Sequence, residues 1–306
     1  MHYAQLLSGK GLFIHFGGWA AECRKNEKKG INEFLFRATS AVLALEEMHF
    51  HERICLENFR QIKPQLTLKR PRLFLWSPQV FQLFHHFTPF LSSMRFLQNT
   101  LLRMVARRLE LRTSIPKSLR DVIPRIRSYG FPEEICTLID EYWKASGADL
   151  ANYRDLDQHY FTLCKHVLLQ WSPEERLLVF LPDNPDVTAE SELTFAKEID
   201  ALRYFVSAFN DFHQCAERIA IQLGFKPKGL QEELDTSGMG KLEDGVRQTL
   251  ALWVENTLAG TTLEMGQLED RRVYFQRRTP GADKASATKG GEALEAVNQI
   301  SSPPLW

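Results

Sequence analysis

No Cys-x-x-Cys pair occurs in this chain, and its five cysteines (Cys23, Cys55, Cys136, Cys164 and Cys215) are scattered and odd in number. That pattern argues against a disulfide framework or a zinc knuckle and suits a reducing, cytoplasmic setting. A long apolar run is missing as well. The first 30 residues hold no continuous apolar core of the length a secretory signal needs. The uncharged stretch Leu73 to Met94 is broken by Pro78, Pro89, His85, His86 and two glutamines, so it reads as a buried, proline-interrupted connector rather than a membrane span. Net charge is absent too, at 38 basic against 38 acidic residues. With 44% hydrophobic and 25% charged residues over 306 positions, the chain is a globular protein of one large or two ordinary domains, not a disordered one.

The zero balance hides an asymmetry. Residues 1–150 carry 22 Lys/Arg against 14 Asp/Glu, and residues 151–306 carry 16 against 24. Between Arg60 and Arg127 there are 14 basic residues and only two acids, Glu110 and Asp121. Such a segment either attracts phosphate through its summed potential or pairs with the acidic half. It is interleaved with Phe74, Trp76, Phe81, Phe84, Phe87 and Phe96. An exposed aromatic cluster of that size is an aggregation liability, so the aromatics are expected in the core and the arginines, above all Arg103, Arg107 and Arg108, on the outside facing RNA.

Periodicity predicts a mainly helical protein. From Ile31 to about Phe59, apolar residues recur at three- and four-residue steps, with Gly30 just before them. Further helices are expected over Ser92–Leu111, Glu133–Ser146 (closed by Gly147), from near Asp149, and over Ser191–Leu223 (closed by Gly224). The runs FTLCKHVLLQW and RLLVFL, parted by SPEE, read as a hairpin. The expected fold is all-α, a bundle of four to five long helices with a small β-hairpin insertion. Its expected organisation is an N-terminal leader at 1–30 and a helical domain at 31–225 with a basic, Pro/Phe-rich insertion at about 60–128. A helical extension at 226–276, including a helix over Leu242–Thr257, and a disordered tail at 277–306 complete it.

One stretch carries chemistry. NYRDLDQHY, Asn152 to Tyr160, places Arg154, Asp155 and His159 within six residues. A histidine exchanges a proton near neutral pH, as attack by an RNA 2′-hydroxyl requires. An arginine holds a phosphate through two parallel bonds and stabilises the charge of the transition state. At about 100° per residue, Arg154 and His159 leave a helix roughly 140° apart, so the arginine must reach around it. The plain structural alternative is an i,i+4 pair of Asp155 and His159 on a wet helix face.

The segment YRDLDQH resembles the signature of the HEPN superfamily (higher eukaryote and prokaryote nucleotide-binding), in its RxxxxH variant. In that family an arginine is followed by a polar residue and, after four to six intervening positions, a histidine; Arg154, Asp155 and His159 fill those places. The resemblance spans roughly residues 31–225, with NEFLFRATSAVLALEEMHFHER similar to the family's packing helix, although the specific motif is six residues long. It implies a homodimer with the signature helices at its interface. It also implies metal-independent endoribonuclease activity, as in toxins that pair with an antitoxin protein and in anti-phage systems. Arg154 and His159 are then catalytic and Asp155 supporting, with no cofactor. The chain departs from the pattern in its insertion at 60–128 and in the hairpin and long helix after the signature. Inactive family branches act as binding modules, so the alternative is a non-catalytic dimerisation or interaction module in which Arg154 to His159 form a structural network. A weaker third reading is a small-molecule-binding bundle with an apolar pocket.

Two other features are expected to be structural. GLFIHFGG (Gly11 to Gly18) resembles a glycosidase loop, but nothing after it alternates strand and helix, so Phe13, Phe16 and Trp19 are assigned to packing. HFHE (His49 to Glu52) and the pair His85–His86 suggest metal ligands. His49 and His51 are two apart and diverge on a helix, so no metal site is expected there.

Overall fold

In the computed structural model the helix α1 (Ile14–Glu22) begins where the backbone turns left-handed at Phe13, with φ 51°. No side chain of its own caps it. Its leading amides are satisfied instead from far along the chain. The Phe13 N–H donates to His213 Nε2 at 3.1 Å, and the His15 N–H donates to a Glu217 carboxylate oxygen at 3.2 Å. Phe13, Phe16 and Trp19 are fully buried, as expected for packing residues. Gly18 is required by close approach, since a Cβ there would lie 2.0 Å from the Lys226 carbonyl oxygen. Within residues 11–19, every residue but His15 is therefore buried against the helical domain. The described residues are 10–227 apart from 67–69, 112–114, 160–162, 164–166 and 188, together with Tyr3, Leu7 and the strand residues 262–267 and 273–278.

The helix α2 (Lys28–Ile62) carries the expected stripe, and Phe34, Ala38, Ala41, Leu45 and Met48 are all buried. It starts two residues before Gly30, which lies inside it. A strand, β1 (Arg72–Phe74), and a short helix, α3 (Pro78–His85), follow. The Ser77 hydroxyl accepts the Val80 N–H at 3.3 Å and Pro78 takes the first turn, where its missing N–H costs nothing. The next helix, α4 (Phe87–Arg108), packs antiparallel on α2: Gly30 faces Met104, the Arg37 guanidinium lies 4.9 Å from the Phe96 ring, and His51 stacks on His86. The longest helix of the segment at 60–128 is thus a central pillar of the fold. Phe87 and Phe90 are buried in it, each worth roughly 1.5–3 kcal/mol of hydrophobic stabilisation. Phe74, Trp76 and Phe81 are instead more than half exposed, against expectation.

A single turn, α5 (Leu119–Val122), leads through a tight 3-10 stretch to α6 (Glu133–Tyr142). Gly147 does not close that helix. A π-turn at Trp143–Gly147 carries the chain straight into α7 (Ala148–His159). A side chain at Gly147 would press to 2.9 Å from the Tyr142 ring, so glycine is what allows the turn. The expected hairpin is present as β2 (Val167–Gln170) and β3 (Arg176–Leu181). It is extended to a four-stranded antiparallel sheet by β1 on one edge and β4 (Ile199–Asp200) on the other, with Leu73 opposite Leu169 and Phe180 opposite Asp200.

The last long helix, α8 (Ala201–Gln222), begins ten residues later than periodicity suggested, because Asp200 caps it. Leu202, Phe205, Phe209, Phe212 and Ile219 are buried along it, as expected, against α1, α6 and β3. In the proposed helical extension, the described residues pair as a hairpin, β5 (Thr262–Gln267) with β6 (Val273–Arg278). The helix expected over Leu242–Thr257 and the tail beyond Arg278 lie outside the described residues. The molecule is mainly helical with a small β insertion. Among the described residues no helix is long and apolar enough to cross a membrane, and Cys23, Cys55, Cys136 and Cys215 are free thiols.

Candidate functional site

Helix α7 runs antiparallel along the first half of α4. Three polar contacts pin it there: Gln98 Nε2 donates to the Gly147 carbonyl at 3.0 Å, Gln158 Nε2 to Ser92 Oγ at 2.6 Å, and Thr88 Oγ1 to Asp157 at 2.7 Å. Leu150, Ala151, Tyr153 and Leu156 face the core, and the Tyr153 hydroxyl donates to the Pro182 carbonyl at 2.7 Å. This fixes the rotation of the helix, so Arg154 and Asp155 emerge half-buried and His159 exposed at its C-terminal end.

The arginine does reach around the helix. Its Nη1 donates to Asp155 Oδ1 at 2.9 Å and stands 3.5 Å from His159 Nε2. The other Asp155 oxygen pairs with Arg120 Nη1 at 3.1 Å, while Arg120 Nη2 donates to Asn152 Oδ1 at 2.6 Å. Asp155 therefore braces two guanidinium groups. A third, Arg95, donates to Ser118 Oγ at 2.9 Å behind them. Burial lowers the pKa of Arg95; the charges of Arg120 and Arg154 act the same way, and that of Asp155 opposes them. Burial also raises the pKa of Asp157, although its bond from Thr88 and the charge of Arg154 oppose the shift. The Nε of Arg154 is buried without a hydrogen-bond partner. One patch of α7, α4 and α5 thus gathers three arginines, one bracing carboxylate and a solvent-facing imidazole.

Arg103, Arg107 and Arg108 do not join this patch. Twelve residues separate Arg95 from Arg107, so the two lie about 18 Å apart along α4. Arg103 folds back on its own helix, donating to the Asn99 carbonyl at 3.1 Å and to Thr100 Oγ1 at 3.2 Å. Arg108 lies 3.7 Å from the buried carboxylate of Glu27 and 4.7 Å from the Phe225 ring centre, where it serves the core. Arg107 is exposed beside the start of α2, next to a surface concavity lined in part by Lys25, Lys28 and Lys29. The basic residues that do flank the motif, Arg95 and Arg120, were hidden in the sequence. They lie 59 and 34 positions before Arg154 and follow no local pattern. Comparison with protein-family models, curated proteins and solved structures finds no match for this chain.

Proposed function

We propose that the protein binds RNA and cleaves it without a metal ion, as a homodimer, using the patch built on α7. The observation that carries this reading is the approach of Arg154 to an exposed His159: an anion-binding fork and a proton-transfer group side by side on an accessible surface. His159 takes the proton of a ribose 2′-hydroxyl. The freed oxygen attacks the adjacent phosphorus while the bond to the 5′-oxygen breaks and that oxygen takes a proton from water, leaving a 2′,3′-cyclic phosphate and a 5′-hydroxyl. Arg154 holds the phosphate and balances the charge growing on its oxygens. Asp155 is a positioning residue, since it fixes Arg154 and Arg120, and Arg120 and Arg95 add positive potential. The resemblance of YRDLDQH to the HEPN signature supports the same assignment, and pairing two copies of α7 across a two-fold axis would line the cleft from both chains.

A second reading draws on a different observation. Asp155 already occupies both Arg154 and Arg120, as in a structural network that shapes a dimerisation surface. Incubation of mixed single-stranded and transfer RNA with the protein in EDTA, beside His159→Ala and Arg154→Ala, decides between them. Cleavage by the parent alone, with cyclic-phosphate ends and folded variants, is the expected result. Absent or equal cleavage in all three removes the catalytic reading.

A further inference from the structure

The two histidine pairs of the sequence are not chelates by spacing, but the fold combines one member of each. His51 lies on α2, and His86 is the single residue between α3 and α4. Their rings stack with centroids 5.8 Å apart and planes 21° from parallel. Glu47 precedes His51 by four residues, so it shares that face of α2. One donor atom from each of the three side chains lies within 4.8 Å of the other two.

The neighbouring groups divide into committed and uncommitted ones. His49 is buried and its Nδ1 meets Glu52 Oε2 at 3.0 Å, so it is engaged within its own helix. His49 Nε2 and His51 Nδ1 are both buried with no hydrogen-bond partner, but only the His51 ring stands against a second histidine. Leaving a buried ring nitrogen unsatisfied costs about 1–3 kcal/mol, which a hydrogen-bonded or ligand-bearing arrangement avoids. A neutral imidazole nitrogen is the form that ligates metal.

We propose that Glu47, His51 and His86 form a binding site for a divalent transition-metal ion of the zinc class. Two imidazole nitrogens and one carboxylate are borderline donors that suit zinc and not magnesium, which keeps oxygen ligands and water. Three protein ligands leave a fourth position of a tetrahedral site open to water or a small anion. Donors around zinc stand roughly 3.4 Å apart, so donors that lie within 4.8 Å of one another need to close by at most about 1.4 Å. Exposed Glu47 can close its part of that gap by changing rotamer, and the half-buried imidazoles of His51 and His86 theirs by small side-chain rotations. The ion would join α2 to the α3–α4 joint and stabilise the native state by mass action. This site is separate from the RNA chemistry, which uses none of these residues.

The test uses the full chain stripped with EDTA and dialysed. It is titrated with zinc chloride, with cobalt(II) chloride as a spectroscopic probe and magnesium chloride as the control. Zinc should bind saturably at one ion per chain in the micromolar range and raise the melting temperature. Cobalt should give the visible absorption of a four-coordinate site, and magnesium should do neither. His86→Ala and Glu47→Gln should each weaken zinc binding at least about 10- to 100-fold. His159→Ala should leave zinc affinity unchanged. His86→Asn, checked for fold by circular dichroism, covers the case in which the alanine variant is unstable. No saturable zinc binding by the parent, or equal affinity in parent, His86→Asn and Glu47→Gln, overturns the proposal. RNA cleavage in EDTA by Glu47→Gln is expected to match the parent, so failure of the RNA reading leaves the metal result readable.

Discussion

Arg154 Nη1 stands 3.5 Å from His159 Nε2 although the two side chains leave their helix about 140° apart. The guanidinium covers that angle because Asp155 holds it down against the helix at 2.9 Å. His159 itself is exposed, so its removal touches little of the core. His159→Ala is therefore expected to change unfolding free energy by less than about 0.5 kcal/mol while abolishing RNA cleavage. Arg154→Lys keeps the charge and loses the planar fork, and its cleavage rate is expected to fall at least about 10-fold. Urea denaturation and single-turnover cleavage, measured on the same preparations, check both. A large stability loss in His159→Ala would mark the residue as structural.

Arg107 and Arg108 are adjacent yet do different work. Arg108 lies over Phe225 and 3.7 Å from Glu27, whose side chain is 2% exposed. Arg108→Ala is expected to cost about 2 kcal/mol, because it leaves that buried carboxylate with one fewer compensating charge. Arg107 is exposed, and Arg107→Ala should leave stability unchanged. If RNA runs along this end of α4, Arg107→Ala lowers RNA affinity and reduces the slope of log affinity against log salt by about 1. Filter binding across a salt series reads that slope, and an unchanged one removes Arg107 from the RNA surface.

Helices were legible where a stripe of apolar side chains announced a buried face. The residues Phe34 to Met48 and Leu202 to Ile219 carry that signal, and both faces are buried. Local grammar failed where long-range contacts decide. Gly147 looked like a stop because glycine often follows a helix; its π-turn depends on Tyr142 and Gln98, and the latter is 49 residues away. No helix was expected within residues 1–30, because the amides that open α1 are satisfied by His213 and Glu217 on the last long helix. At the candidate site the motif itself was readable, but its arginine partners were not. Arg120 pairs with Asp155, and Arg95 enters the field of that carboxylate, only once α4 and α5 have packed beside α7. Likewise, the spacing of His49 and His51 could not reveal that His51 meets His86.

Gln98 holds the joint that aims α7. It is buried, and its Nε2 donates to the Tyr142 hydroxyl at 2.8 Å and to the Gly147 carbonyl at 3.0 Å. Burial pushes the Tyr142 hydroxyl well above its ordinary pKa, against the opposing bond from Gln98. Gln98→Leu preserves much of the volume but strands an oxygen on each partner. The expected cost is about 2–4 kcal/mol. Because α7 rotates with this joint, RNA cleavage should fall by more than stability explains when measured well below the melting temperature. Full activity in a destabilised Gln98→Leu would show that the motif needs no such positioning.

Asp200 makes stability depend on pH in a direction opposite to most carboxylates. It caps α8, accepting the Leu202 N–H at 3.2 Å, with a side chain only 14% exposed. Burial, reinforced by the charge of Glu52, pushes its pKa up to about 6 from 3.8, against the pull of the Leu202 amide, Arg203 and Arg176. Between those two values the native state binds more protons than the unfolded chain, so this group's contribution to stability is present below about pH 4 and is lost as the pH rises through 6. Asparagine caps a helix as well as aspartate does and carries no charge. Asp200→Asn is thus expected to be more stable than the parent at pH 7 by on the order of 1–3 kcal/mol, offset in part by the loss of the exposed Arg203 pairing. That advantage should shrink steadily as the pH falls from 6 toward 4. Urea melts of both proteins at half-unit intervals across that range measure it. A pH-independent difference would mean that Asp200 is already satisfied as a carboxylate, and that Glu52 does not act on it through its charge.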